Sequence, residues 1–450
     1  MQDRFTGQFT QQEPIPEEGI AAAMAVLRHG RLHRYNTQAD EVAEAALLEE
    51  EFAALTGARY CLALGSGGIA MTTALRALGV GPGDRVLTNA FTLAPVPGAI
   101  AAVGAVPEYV EVTDGLVIDL DDLAAKVGQH TGQHTGQHTG QRLDQHLGQH
   151  SGQNAVQQTG QTPARARVLL LSHMRGHICD MGRLMAICDA AGVKVIEDCA
   201  HTMGASWDGV PSGRWGALGC FSTQTYKHIN SGEGGLLIGD DAGAMARAVI
   251  LSGSYMLYAR HRAAPPVEAF ERVKYDTPNI SGRMDNLRAA ILRPQLRNLE
   301  SQAERWNARY RVVEAGLQDT PGLSLVVRDA REQFVASSFQ FLLPGWAPAA
   351  VRAVVARCLA RGVEVKWFGA AEPVAFTSRY DSWRYAPVPV LPQTDRVLAG
   401  LIDMRLPLTF SLDDCALIAR IIRAEVGAVW QAGGGQVAPD DAPATTSVAD

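Results

Sequence analysis

The chain has 450 residues, 47% apolar and 19% charged, so it is long enough for two or three domains with a large buried core and too apolar for a disordered chain. Forty basic against 47 acidic residues leave a net charge of −7, which excludes a global basic field for nucleic acid or an anionic membrane. The seven scattered cysteines contain no C-x-x-C pair, and no apolar run is long enough to span a bilayer. Reduced thiols and a polar start, MQDRFTGQFTQQEP, read as a cytoplasmic protein without a disulfide framework or a metal module.

Residues 1–18 read as an N-terminal arm. Asp40 to Gly57 reads as a helix, with Asp40 as N-cap, Val42, Ala45, Phe52 and Leu55 as its apolar positions, and Gly57 as a left-handed stop. Short apolar runs follow at Tyr60 to Leu64, Arg85 to Thr88, Val106 to Val112, Val168 to Leu171, Val193 to Ile196 and Leu236 to Gly239. Amphipathic segments such as Met71 to Leu78 and Met181 to Ala191 lie between them. Runs apolar on both faces, joined by helix-length connections, predict an α/β fold with a mainly parallel sheet covered by helices. This large domain takes in residues 19–127 and 162–290.

The stretch 128–161 differs in kind. It repeats GQHTGQHTGQHTGQ and holds only Leu143, Leu147, Ala155 and Val156 for a core, so it reads as a disordered low-complexity insertion. A glycine in every repeat works against the helix that would align His130, His134 and His138 for a metal. From 291 to 431 the pattern predicts a smaller α+β domain. It has a long amphipathic helix through Leu296, Leu299 and Trp306, strands in FVASSFQFLL and VEVKWFG, and a last helix from Cys415 to Val426. Residues 432–450 read as a loose tail.

Three strings carry chemistry. Gly65-Ser66-Gly67-Gly68-Ile69-Ala70 mimics a dinucleotide fingerprint, but the next strand, Arg-Val-Leu-Thr, runs into Asn89 without the acid a ribose needs. What survives is a glycine-rich turn whose backbone N–H groups suit one phosphate. VIEDCAH ends a β-branched strand in Glu197 and Asp198, an acidic pair that alone is as good an N-cap as a catalytic group. GCFSTQTYKHINSGEGG supplies Ser222 and Lys227, the lysine flanked by Tyr226 and His228. A phosphate cradle, a carboxylate at the sheet edge and a poised lysine are together what pyridoxal 5'-phosphate (PLP) requires.

With these strings, and with LGVGPGDRVLTNAFT and RMDNLRAAILRPQL, the sequence resembles the DegT/DnrJ/EryC1/StrS aminotransferases of the aspartate-aminotransferase fold (fold type I) from about Gly19 to Ile422. The resemblance implies that Lys227 forms the Schiff base with the PLP aldehyde and moves the substrate proton. It places Asp198 against the pyridine nitrogen, His201 near the ring hydroxyl and Ser222 on the phosphate. Gly67, Gly68 and Ile69 form the cradle, the last two as backbone donors. Glu197 is assigned to the strand end.

Departures accompany the likeness. Gly68 stands where the family usually has Thr or Ser, and Leu93 where an aromatic covers the ring, so Leu93 or nearby Phe91 takes that task. The G-x-N-x-R string appears as Pro278-Asn279-Ile280-Ser281-Gly282-Arg283, which leaves the partner-subunit phosphate contact to Asn279 or Ser281. Arg283, Lys366 and Trp367 are the candidates for substrate contact. The family implies a homodimer with its site at the subunit interface. It also implies transfer of an amino group from glutamate or glutamine to a keto sugar, a nucleotide-linked keto sugar or a keto cyclitol. A PLP-dependent sugar dehydratase is a second reading, although those enzymes replace the lysine with histidine. A regulatory or scaffold homologue is a third, against which stands the joint presence of Lys227, Asp198 and Ser222.

Overall fold

In the computed structural model, residues 3–38, 40–131 and 167–434 are described. Strands β1 (Tyr60–Leu64), β2 (Arg85–Asn89), β3 (Val106–Val110), β4 (Val168–Ser172) and β5 (Lys194–Asp198) are followed by the short β6 (Ser206–Trp207) and β7 (Val210–Pro211). Next come β8 (Leu218–Ser222) and β9 (Gly235–Gly239). Seven of these form one sheet in the order β1-β9-β8-β5-β4-β2-β3. The pairs from β8 through β5, β4 and β2 to β3 are parallel, and β9 runs against both neighbours. The fold is therefore the predicted α/β class with a mainly parallel sheet.

Burial on both faces explains why these strands read as continuous apolar runs. In β4, Val168 and Leu170 enter one core with Met71, Ile100 and Met245 from the helices Gly67–Ala77, Pro95–Ala102 and Ala242–Ser252. Leu169 and Leu171 enter the opposite core with Leu123, Leu184 and Cys188 from the helices Leu120–Thr131 and Met181–Ala191. Residues at i and i+2 share a face, so every side chain of such a strand is spent on packing. All seven cysteines are free and buried.

The second sheet comprises β10 (Ser324–Leu325), β12 (Ser338–Leu342), β13 (Lys366–Trp367) and β14 (Leu401–Arg405), in the antiparallel order β10-β12-β14-β13. Strand β11 (Glu332–Gln333) instead pairs with β6, tying this region to the first. The core of the second sheet includes Phe339, Phe341, Val351, Ile402, Ile418 and Ile422. The start of the chain joins it: Phe5 and Phe9 pack edge-on against Phe410, with centroids 4.9 Å away in both cases.

Several expectations need correction. The second helix begins at Glu44, not at Asp40, because Glu41 is held outside it: its carboxylate accepts the Gln38 N–H and pairs with Arg31. Gly57 does take the left-handed stop, at φ 71°. The long amphipathic helix is two helices, Asn286–Leu296 and Leu299–Leu317. The apolar stripe continues across Arg297 and Asn298, but the backbone turns there. Residues 128–131 of the expected insertion extend the helix Leu120–Thr131, and the remainder lies outside the described residues. Likewise, residues 432–434 belong to the helical turn Trp430–Gly434, and the rest of the expected tail lies outside.

Candidate active site

The carboxyl ends of β4, β5 and β8 bring the motif residues together. Asp198 closes β5, and its Oδ2 accepts the hydroxyl of Ser172, the last residue of β4, at 3.0 Å. Its Oδ1 accepts the Ala200 N–H at 3.2 Å. Burial raises the Asp198 pKa, opposed by the nearby Lys227 charge. Glu197 points to the other face, where it accepts N–H groups from Gly213, Trp215 and Gly216 at 2.7–2.9 Å and meets His173 Nε2 at 3.0 Å. It is a buried clamp for the loop before β8, in keeping with its assignment to the strand end.

Lys227 follows β8 after a short turn. Its Nζ lies 2.9 Å from His201 Nε2. Burial lowers the lysine to about 7; the Asp198 carboxylate pulls it up, and Arg175 and Arg405 push it down further. Burial also holds His201 well below its ordinary value, so the neutral imidazole is a hydrogen-bond partner for the amine and not a competing cation. His228, buried edge-on against Trp306, is held down to about 3 by the same cause.

The proposed phosphate cradle lies at the start of the helix Gly67–Ala77. Ser66 caps it, accepting the Ile69 N–H at 3.1 Å. A Cβ on Gly67 would come within 2.9 Å of Ser222 Cβ, so only glycine lets this turn close on β8. A Cβ on Gly68 would meet nothing nearer than Ser66 Oγ at 3.8 Å, which leaves that side of the turn open. A nicotinamide fold is excluded by topology as well as by the missing acid. In the sheet, β2 is separated from β1 by β9, β8, β5 and β4, so the two do not form the adjacent βαβ pair a dinucleotide spans.

A cavity of about 210 Å³ opens over Lys227 and His201. Leu93 lines it together with Lys227, whereas Phe91 is buried against Phe368 and is not among the lining residues. Gln224, whose N–H donates to Ser222 Oγ at 3.3 Å, and Tyr226 also face it. Sequence reasoning missed Gln12, Arg175, Trp306 and Arg405 as cavity residues. They come from four distant segments, and no local pattern marks them. Arg175 carries one signal visible only in three dimensions, a left-handed φ of 57°, a strain that structures retain where a side chain must be aimed.

The remaining candidates lie apart. Asn279 accepts the Ser281 N–H at 2.9 Å, and Arg283 stacks over Tyr255 and donates to His33 at 3.0 Å. This segment reaches the cradle through its backbone, Gly282 carbonyl accepting the Gly65 N–H at 2.7 Å. Lys366 lines a neighbouring cavity, and Trp367 is buried in the second core, donating to the Ala399 carbonyl at 2.8 Å.

A seven-stranded mixed sheet that gathers Asp198, His201 and Lys227 beyond the carboxyl ends of its strands has the fold type I aminotransferase architecture. The chain belongs to the DegT/DnrJ/EryC1/StrS aminotransferase family, whose model matches residues 15–423. It is 28% identical over 319 residues to a Micromonospora echinospora protein named for L-glutamine:3-amino-2,3-dideoxy-scyllo-inosose amino transfer; the match covers 70% of this chain and 66%, just under two thirds, of that relative. It is 26% identical to the UDP-N-acetyl-3-dehydro-alpha-D-glucosamine 3-aminotransferase of Acidithiobacillus ferrooxidans, over 75% of this chain and 86% of the relative. The crystal structure of 3-amino-5-hydroxybenzoic acid synthase shares the fold at a TM-score of 0.73 and 24% identity, covering 94% of this chain and 99% of that one.

Proposed function

We propose that this chain is a PLP-dependent aminotransferase that moves an amino group from glutamate or glutamine to a keto sugar, a nucleotide-linked keto sugar or a keto cyclitol. The observation that carries the reading is Lys227, an amine lowered to about 7, held 2.9 Å from His201 at the floor of the cavity and facing the Asp198 charge. The residues fit the cofactor: the open side of the turn at Gly68, with Ser222 beside Gly67, offers a phosphate seat, and Asp198 offers a buried carboxylate for a ring nitrogen. When bound, PLP supplies an aldehyde for the amine and a ring that takes up the electrons of the substrate carbon.

Lys227 then acts as the proton carrier. A neutral Nζ takes the proton from the donor's reacting carbon and returns it one position away, a task for which a pKa near the working pH is suited. His201 orients that amine. Ser172 and the Ala200 N–H keep the Asp198 carboxylate aimed, and Leu93 lines the cavity beside them. The same reading gives Asn279 or Ser281 to the partner's phosphate in a homodimer, with Arg283 and Lys366 at the rim. Exposed Ile20, Met24 and Leu27, on one face of the helix Glu17–His29, support a subunit contact. The two sheets, each with its own core, support a large domain of residues 19–127 and 162–290 and a small one of 291–431, and seven buried thiols support a cytoplasmic setting.

The test is spectral. Protein loaded with PLP is yellow; L-glutamate or L-glutamine bleaches the visible band, and borohydride fixes the label on the peptide bearing Lys227. Lys227→Ala abolishes turnover and the label. A native band indifferent to both donors, or normal turnover in the variant, refutes the reading.

A further inference from the structure

Lys227 also borders a second, smaller chamber of about 90 Å³, which shares Gln12, Lys227 and Trp306 with the larger cavity. One wall is the N-terminal arm, residues 12–16, where Pro14 is exposed. Another is the helix Leu299–Leu317, whose Gln302 and Trp306 lie one turn apart on a single face. His228 lines the chamber as well. It is 2% exposed, and neither of its ring nitrogens has a hydrogen-bond partner among the described residues; the same holds for the buried Oε1 of Gln302. Gln295 and Glu13 are already engaged. Gln295 Nε2 donates to the Asn230 and Ile291 carbonyls at 2.8 and 2.9 Å, its Oε1 accepts the Asn230 N–H at 2.9 Å, and the Glu13 carboxylate pairs with Arg305.

Three buried polar atoms without a protein partner, around one chamber, call for a polar occupant, because leaving such groups unbonded is strongly unfavourable. Burial keeps His228 neutral at physiological pH, so its ring has one donor and one acceptor, and Gln302 Oε1 adds a second acceptor. The chamber is smaller than the roughly 300 Å³ that pockets for rings and sugars start from, yet ample for a few waters, which need about 10–15 Å³ each. We propose that water held by His228 and Gln302 in this chamber is the solvent with which Lys227 exchanges the proton it carries, His228 acting through that water as a positioning residue. The inference rests on the aminotransferase reading. When Lys227 takes the proton of the donor's reacting carbon, the C–H bond breaks, its electron pair stays with the carbon, and an N–H bond forms at Nζ. The resulting ammonium gives one hydron to chamber water and receives another in return, so a label is lost while charge and electron count are unchanged.

The experiment compares the PLP-loaded native chain with His228→Leu, His228→Asn and Gln302→Leu. A crystal structure of the native protein at a resolution that shows ordered water reads the chamber without turnover, and water within hydrogen-bond distance of His228 and Gln302 is expected. The second readout is label, not rate: one half-reaction in ordinary water with L-glutamate deuterated at its reacting carbon, followed by mass spectrometry of the cofactor. The native chain loses most of the deuterium to solvent. His228→Leu, which has no polar atom to offer, retains about fivefold more, the scale of one lost hydrogen bond, and Gln302→Leu moves the same way. His228→Asn, whose amide supplies a donor and an acceptor, returns retention to near the native level. A purely structural role for His228 would change cofactor loading or rate and leave the retained fraction as it was. Should His228→Leu fail to fold, Gln302→Leu carries the same test. Equal retention in the native chain and the leucine variants, or a chamber without ordered water, overturns the proposal. A native protein that never develops the yellow band sinks the aminotransferase reading instead, and the water positions around His228 keep the two failures distinct.

Discussion

Replacing Lys227 with methionine should make the cofactor-free protein more stable, even though it destroys the site. Burial moves this amine from its ordinary 10.5 to about 7. A base whose folded value is depressed binds fewer protons folded than unfolded, so the folded state is penalised most at low pH and recovers as pH rises. At 1.36 kcal/mol per pH unit, the ionisation penalty is about 5 kcal/mol below pH 7, about 4 at pH 7 and about 2 at pH 9, and it vanishes near 10.5. Lys227 lines the cavity and keeps part of its surface exposed, so cavity water screens it, and about 2–3 kcal/mol at pH 7 is the expected gain. Methionine is unbranched like lysine, one atom shorter, and brings no charge. The assay is urea unfolding of both apoproteins, followed by circular dichroism at pH 7, 8 and 9. Lys227→Met should unfold at higher urea at pH 7, and the gap should close as pH rises. A variant less stable than the native chain at pH 7, or a gap independent of pH, would refute the account of a desolvated amine.

Other outcomes follow from the same structure. Glu49, buried and paired with Arg34 at 2.7 Å and with His261 at 3.0 Å, is held at about 2 by those charges. Its stabilising contribution is complete above its ordinary 4.5 and is lost as pH falls toward 2, so Glu49→Gln should cost about 3–5 kcal/mol at pH 7 and flatten the acid limb of a stability–pH curve. Ser172→Ala removes the hydroxyl held by Asp198 and should raise the PLP dissociation constant about fivefold, roughly 1 kcal/mol, measured by quenching of tryptophan fluorescence. Gly68→Ser places a hydroxyl in the open side of the turn and should tighten PLP by up to about tenfold; weaker binding would show that the turn does not hold the phosphate.

The legibility of the chain follows its chemistry. Strands such as β4 announced themselves because both faces are buried, which forces an apolar residue at every position. β8 was hidden inside a motif, since Gly219 and Cys220 dilute its apolar run. The break at Arg297 and Asn298 left no trace in the periodicity, because both helices bury the same face, through Leu296 and Leu299. In the site, Lys227, Asp198, His201 and Ser222 were readable because they fall in two short strings, at or just past the ends of β5 and β8, whose residue types suit one cofactor. Arg175 and Arg405 were not. Their meaning comes from the two sheets meeting, where Arg175 pairs with Asp403 at 2.9 Å.

The wedge of Phe5 and Phe9 into the second core has a practical consequence for anyone handling this protein. A few residues beyond that wedge, Gln12 borders the cavity over Lys227. Trimming the first dozen residues would therefore bare a greasy surface and unroof the reaction chamber at once, so purification handles and protease sites are better placed at the opposite terminus.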